Sequence, residues 1–217
     1  FNGTAGAGDV VTVKLDGVTL GTATANGAGV WSYDYTGTTI ANGTYTLAAS
    51  TTDIAGNTAT ASQAITIDTN APGQNGDGTA PAITAITNDS GTAGDFITND
   101  QTLIFNGTAG AGDVVTVKLD GVTLGTATAN GAGVWSYDYT GTTIANGTYT
   151  LAASTTDIAG NTAMASQAIT IDTNAPGQNG DGTAPAITSI TNDSGTAGDF
   201  ITNDQTLIFN GTAGAGD

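Results

Sequence analysis

The sequence predicts an all-β chain made of tandem β-sandwich domains, and three observations carry that reading. Residues 1–113 recur as 105–217, an offset of 104, with two differences, Thr60/Met164 and Ala85/Ser189. A unit of that size is too long for a solenoid repeat and matches a complete sandwich domain. The composition omits Glu, Arg, His and Cys and holds Lys only at Lys14 and Lys118, so the best exposed-helix formers are scarce while Thr, Val, Ile, Tyr and Gly abound. Apolar and polar residues alternate at every second position, most clearly in Val115-Thr116-Val117-Lys118-Leu119-Asp120. Trp135 with Tyr137, and Tyr149 with Leu151, repeat the same step and read as core.

Seven strands per repeat are expected between the turn signals. The first covers 82–87, with its later copy at 186–191, and the second covers 101–106. Strands at 114–119 and 122–129 are joined by Asp120-Gly121, a strong hairpin dipeptide. The remaining three lie at 134–139, 148–156 and 163–172. The run Gly107-Thr108-Ala109-Gly110-Ala111-Gly112 lacks the Lys-Ser/Thr of a phosphate-binding loop and reads as a turn. On this division residues 1–76 form a repeat lacking its first strand, 77–180 a complete repeat, and 181–217 the first two strands of a third. The two end fragments are complementary, so either the tail segment 184–210 of one copy completes the first repeat of another or the chain is one window on a longer rod.

An odd number of antiparallel passes puts entry and exit at opposite poles, so linked copies extend into a rod of roughly 40 Å per repeat. All four prolines, Pro72, Pro81, Pro176 and Pro185, fall in the linkers, while Gly73, Gly76 and Gly78 leave the linker's middle flexible. Its stiffness must therefore come from something other than the backbone.

Charge supplies a candidate. All 19 acidic residues are Asp and the net charge is −17, a surface that repels nucleic acid and anionic membranes and draws cations. No run long enough to span a membrane occurs. Counting passes gathers Asp89, Asp95 and Asp100 at the exit pole with Asp172 and Asn174. Asp113 and Asp157 then lie at the entry pole, facing Asp68, Asn70 and Asp77 of the incoming linker. Asp53, Asp181, Asp193, Asp199 and Asp204 are copies of these positions in the neighbouring repeats. Clustered carboxylates repel unless a cation neutralises them, and oxygen donors without His or Cys select Ca²⁺. No EF-hand loop or glycine-rich nonapeptide is present, so calcium rests on clustering alone. Asp120 and Asp138 have turn and strand explanations and need no metal.

The runs 105–113, 119–127 (Leu-Asp-Gly-Val-Thr-Leu-Gly-Thr-Ala), 133–137 (Gly-Val-Trp-Ser-Tyr), 146–149 and Thr156-Asp157-Ile158-Ala159-Gly160-Asn161 resemble the bacterial immunoglobulin-like extender repeats of giant repeats-in-toxin adhesins. The resemblance implies an immunoglobulin-like sandwich in a type I secreted, surface-anchored protein whose linkers bind calcium. It also implies ligand roles for Asp68, Asp172 and Asp157. The Asp-Asp pairs usual in that family's first loop are here Asn88-Asp89 and Asn99-Asp100.

Three functions follow as alternatives. The first is a calcium-stiffened extender whose partners are the neighbouring repeats of its own chain, with no small-molecule substrate. The second is an adhesive module for carbohydrate or ice, suggested by Thr22-Ala23-Thr24 and Thr126-Ala127-Thr128. An enzyme is the third, and without His, Cys, Arg or Glu only an Asp-Asp dyad could serve it.

Overall fold

The computed structural model describes residues 1–214, so the segment expected at 181–217 runs past the described residues at its end. Among those residues there are sixteen strands and no helix. They form two compact units, the first made of residues 1–77 with 156–162 and the second of 78–155 with the described residues from 163 onward.

The first unit contains β1 (Asn2–Thr4), β2 (Val10–Leu15), β3 (Val18–Thr24), β4 (Val30–Ser32), β5 (Gly43–Thr52) and β6 (Thr58–Ile67). One sheet has the order β3-β2-β5-β6 and the other is the pair β1-β4. Val11, Val13, Ala25 and Trp31 form the buried centre.

The second unit adds β7 (Ala82–Ile86), β8 (Ile97–Thr98), β9 (Ile104–Thr108), β10 (Val114–Leu119), β11 (Val122–Thr128), β12 (Val134–Asp138), β13 (Gly147–Thr156) and β14 (Thr162–Ile171). Its sheets run β11-β10-β13-β14-β8 and β12-β9-β7. Both contribute to one core, in which Phe105, Val115, Val117, Leu151 and Ile169 are fully buried. The expected alternation therefore holds: Val115 and Val117 are closed to water, Leu119 packs half-buried against the same core, and Thr116 and Lys118 alternate with them. β15 (Ala186–Ile190) and β16 (Phe209–Thr212) pair with each other as a separate two-stranded sheet.

Local chemistry accounts for the turns. Asp120 and Gly121 take φ of 47° and 79°, the left-handed pair that a two-residue hairpin with strand-matched twist requires. The Asp120 Oδ1 also accepts the Thr150 N–H at 2.7 Å, tying this turn to β13. Tyr149, near the start of β13, donates its hydroxyl to the Ala145 carbonyl at 3.0 Å, and Tyr45 does the same to Ala41 at 2.9 Å. This tyrosine corner is a device of immunoglobulin-like sandwiches, so these tyrosines hold a corner as well as lining the core.

Two expectations need correction. The second strand does not start at Gln101: the Asp100 Oδ1 accepts both the N–H and the hydroxyl of Thr102, at 2.8 and 2.9 Å, and holds that stretch as a bend. β9 starts at Ile104 and continues through Gly107 and Thr108, which were expected to be turn. Gly107 is required there because a Cβ would lie 2.0 Å from the Ala82 carbonyl oxygen and 2.3 Å from the Trp135 ring. The second correction is an extra strand. β8 runs parallel to β14, pairing Ile97 with Thr170 and Thr98 with Ile171, so the passes are not seven simple antiparallel ones. The chain reaches this position through Phe96, which adopts φ 62° and is buried.

Candidate metal centre

Strand ends position the carboxylates that come together. Asp68 directly follows β6, Asp77 closes a tight loop in which Gln74 and Asp77 form a bridge, and Asp157 opens the turn between β13 and β14. All three belong to the first compact unit. One oxygen from each lies within 4.8 Å of the others, and each residue is half-buried.

The scaffold around them is made of Asx turns. The Asp68 Oδ1 accepts the Asn70 N–H at 3.0 Å, and the Asn70 Oδ1 accepts the Asn75 side-chain amide at 3.0 Å. In the Asp-Ile-Ala-Gly-Asn turn the Asn161 N–H donates to Asp157 Oδ1 at 2.8 Å, and its side-chain amide donates to Asp157 Oδ2 at 2.9 Å. The same amide also reaches the Asp68 backbone carbonyl at 3.1 Å. Asn161 therefore links two members of the cluster, a role the sequence reading did not assign. The signal in the sequence is the turn's final Asn, four residues after the candidate ligand Asp157. The Asn161 side-chain hydrogen bond holds the Asp157 carboxyl below the usual value of 3.8, so it remains ionised throughout the neutral range.

Three anions this close repel strongly where water is partly excluded. Asp and Asn oxygens with backbone carbonyls, and no nitrogen or sulfur donor, suit a hard divalent cation, and loop-borne donors fit Ca²⁺ better than the rigid octahedron of Mg²⁺. The residues present thus fit the ion that the sequence suggests.

Asp53 heads the identical turn in the first repeat, yet it is exposed, and among the described residues its carboxylate accepts from its own loop, from Asn57 N and Nδ2 at 2.8 and 2.9 Å. Asp113 is likewise engaged by a turn, its Oδ2 accepting the Gly110 N–H at 3.0 Å. Asp172 and Asn174 reproduce the Asp68 turn at 2.9 Å, and Asp181 the Asp77 bridge. No third carboxylate joins them among the described residues.

In the loop between β7 and β9 each acid accepts a hydrogen bond from within the loop. Asp89 Oδ2 accepts Gly94 N at 2.7 Å, Asp95 Oδ1 accepts Ile97 N at 2.9 Å, and Asp100 Oδ2 accepts the Asn88 amide at 2.5 Å. Thr98, with its hydroxyl on the Asn88 carbonyl at 2.5 Å, organises this loop. Asp193, Asp199 and Asp204 repeat the three contacts in the later copy. The Oδ1 atoms of Asp89 and Asp193 are buried without a hydrogen-bond donor among the described residues. Asp138 accepts the Thr140 N–H and hydroxyl at 2.9 and 2.6 Å, consistent with a purely local role.

Comparison with known proteins places residues 1–69 and 78–173 on the profile of the bacterial Ig-like domain. Among solved structures, the chain is similar to a Ca²⁺-stabilised adhesin that helps an Antarctic bacterium reach out and bind ice. That match has 29% identity and a TM-score of 0.44, covering 79% of this chain and 43% of the other. It is also similar to a 1.5-MDa bacterial ice-binding adhesin studied for host cell surface retention, at 26% identity, TM-score 0.42 and 78% and 55% coverage. A tetra-tandem repeat from the extending region of a large adhesion protein matches at 19% identity and TM-score 0.34, over 98% and 58%. The chain thus spans about half the length of these structures. No curated protein matches the chain.

Proposed function

The chain belongs to the bacterial Ig-like domain family, and we propose that it is a non-catalytic structural extender of a bacterial surface adhesin, stiffened by calcium and holding an adhesive domain away from the cell. The observation that carries this reading is the half-buried cluster of Asp68, Asp77 and Asp157, whose oxygens lie within 4.8 Å. Asp68 and Asp77 bracket the glycine-bearing linker, and Asp157 sits on a turn between two long strands. A cation shared by all three would convert a tether that repels the turn into one fastened to it. The ion would supply charge neutralisation and oxygen coordination, and no chemistry on a substrate is required. Near-identical repeats favour this role, since each copy adds length while a single site would suffice for catalysis. The relatives with adhesin descriptions support the same setting, an extracellular bacterial surface.

Small-angle scattering tests the stiffening. The maximum dimension of the chain is expected to increase and its distribution to narrow when millimolar calcium replaces excess chelator, at the weak affinities of extracellular modules, roughly 10⁻⁴ to 10⁻³ M. An unchanged dimension in both conditions would reject the extender mechanism.

A further inference from the structure

Asn161 is the residue through which the turn between β13 and β14 reaches the linker. Its main chain closes the turn: the Asn161 carbonyl accepts the Asp157 N–H at 3.0 Å, and its own N–H donates to Asp157 Oδ1 at 2.8 Å. Gly160, at φ 96°, supplies the left-handed step that brings the two ends together. The side-chain amide of Asn161 then serves two members of the metal cluster, donating to Asp157 Oδ2 at 2.9 Å and to the Asp68 carbonyl, 93 positions away in the chain, at 3.1 Å. Asn161 is half-buried, and every group in this network belongs to the first compact unit.

Two properties of the amide decide what it does there. It is uncharged, so its contact with the Asp68 carbonyl needs neither a cation nor an ionised partner. It also leaves the oxygens usable, because a carbonyl oxygen and each carboxylate oxygen can accept from more than one partner. The amide therefore aims donors that a cation can still share. Its N–H groups place partial positive charge between Asp157 and the end of β6, and this offsets part of the repulsion within the cluster.

We propose that Asn161 is a positioning residue for the metal centre, a latch that needs no calcium and holds Asp157 against the start of the linker before an ion arrives. Its effect on calcium rests on the extender reading above, whereas the latch rests on the hydrogen bonds themselves. One amide against three mutually repelling carboxylates keeps this contact for only a fraction of the time, and the cation makes it lasting. The apparent affinity of a site formed only part of the time falls with the fraction formed, and donors gathered in advance spare the ion the cost of gathering them. Removing a hydrogen-bonded partner that orients metal ligands typically weakens metal binding about ten- to a hundredfold.

Hydrogen–deuterium exchange in excess chelator reads the latch, and calcium calorimetry reads its effect on the ion. Peptides covering 60–77 differ in mass from the later copy, 164–181, through Thr60 and Met164, so the linker after β6 can be followed by itself. Asn161→Ala should speed exchange in 60–77 in chelator and weaken calcium binding about tenfold or more. Asn161→Asp keeps the shape of the side chain but removes both N–H donors of the amide, and it should speed exchange in the same peptides. This second variant carries the exchange test if the alanine variant fails to fold. Asn130→Ala removes the acceptor for the Ala132 and Val134 N–H groups in a turn of the second unit, and it should change neither readout. A purely local role for Asn161 would speed exchange in 156–162 and leave 60–77 unchanged, which would overturn the inference. Unaltered calcium affinity in a folded Asn161→Ala chain would overturn it as well. A parent chain that binds no calcium would defeat the extender reading instead, with exchange in chelator still deciding the latch.

Discussion

Replacing Trp135 by alanine is expected to cost the second unit about 3–5 kcal/mol, the range for deleting a buried aromatic side chain from a packed core. Trp135 is 1% exposed, donates its indole N–H to the Thr108 carbonyl at 3.1 Å, and packs where Gly107 has no Cβ. Its removal empties the space between the two sheets and takes the indole donor from the Thr108 carbonyl. For a domain of this size the melting temperature should fall on the order of 15 °C. Trp31→Ala, the same change in the first unit, should cost less, because Trp31 already borders an open cavity. Differential scanning calorimetry on the two variants measures both effects. Equal losses would show that the two cores are equally closed, against the cavity that Trp31 borders.

Calcium should produce the second large effect. At ten to a hundred times the dissociation constant, an ion that binds only the folded state stabilises it by about 1.4–2.7 kcal/mol. The first unit, which holds Asp68, Asp77 and Asp157, should therefore melt several degrees higher in calcium than in chelator. Acid should mimic the chelator. The Asp157 carboxyl is held below 3.8 by Asn161, so its stabilising contact is complete above that value and is lost as the pH falls through the lower folded value. Bound calcium competes with the same protons. A calcium-dependent shift in melting should thus shrink as the pH approaches about 4 and below. If calcium leaves the melting temperature unchanged at neutral pH, no ion is held by the folded cluster.

Much of this fold could be read from residues whose local chemistry and pattern agree. Asp120-Gly121 marked its hairpin because few other pairs adopt positive φ at both positions without strain. The Val115, Val117 and Leu119 stripe gave the inward face of β10 directly. The structure brings Asp68, Asp77 and Asp157 together at one place, where counting strand passes had also put them. What escaped was set by tertiary contact. β8 is two residues long, too short for any periodic signal, and exists because Phe96 turns inward and lets Ile97-Thr98 meet β14. Gly107 looked like turn composition, but packing beneath Trp135 explains it. Asn161 reads as an ordinary turn residue until its amide is seen to reach Asp68, 93 positions away.

The repeat itself provides the most direct test of the metal centre. Asp53 and Asp157 head the same Asp-Ile-Ala-Gly-Asn turn, yet only Asp157 lies beside Asp68 and Asp77. Isothermal titration calorimetry with calcium should therefore show that Asp157→Ala weakens binding at one site by tenfold or more, losing at least about 1.4 kcal/mol of binding energy, while Asp53→Ala leaves the isotherm unchanged. Equal weakening by the two substitutions, or by neither, would contradict a calcium site built on Asp68, Asp77 and Asp157.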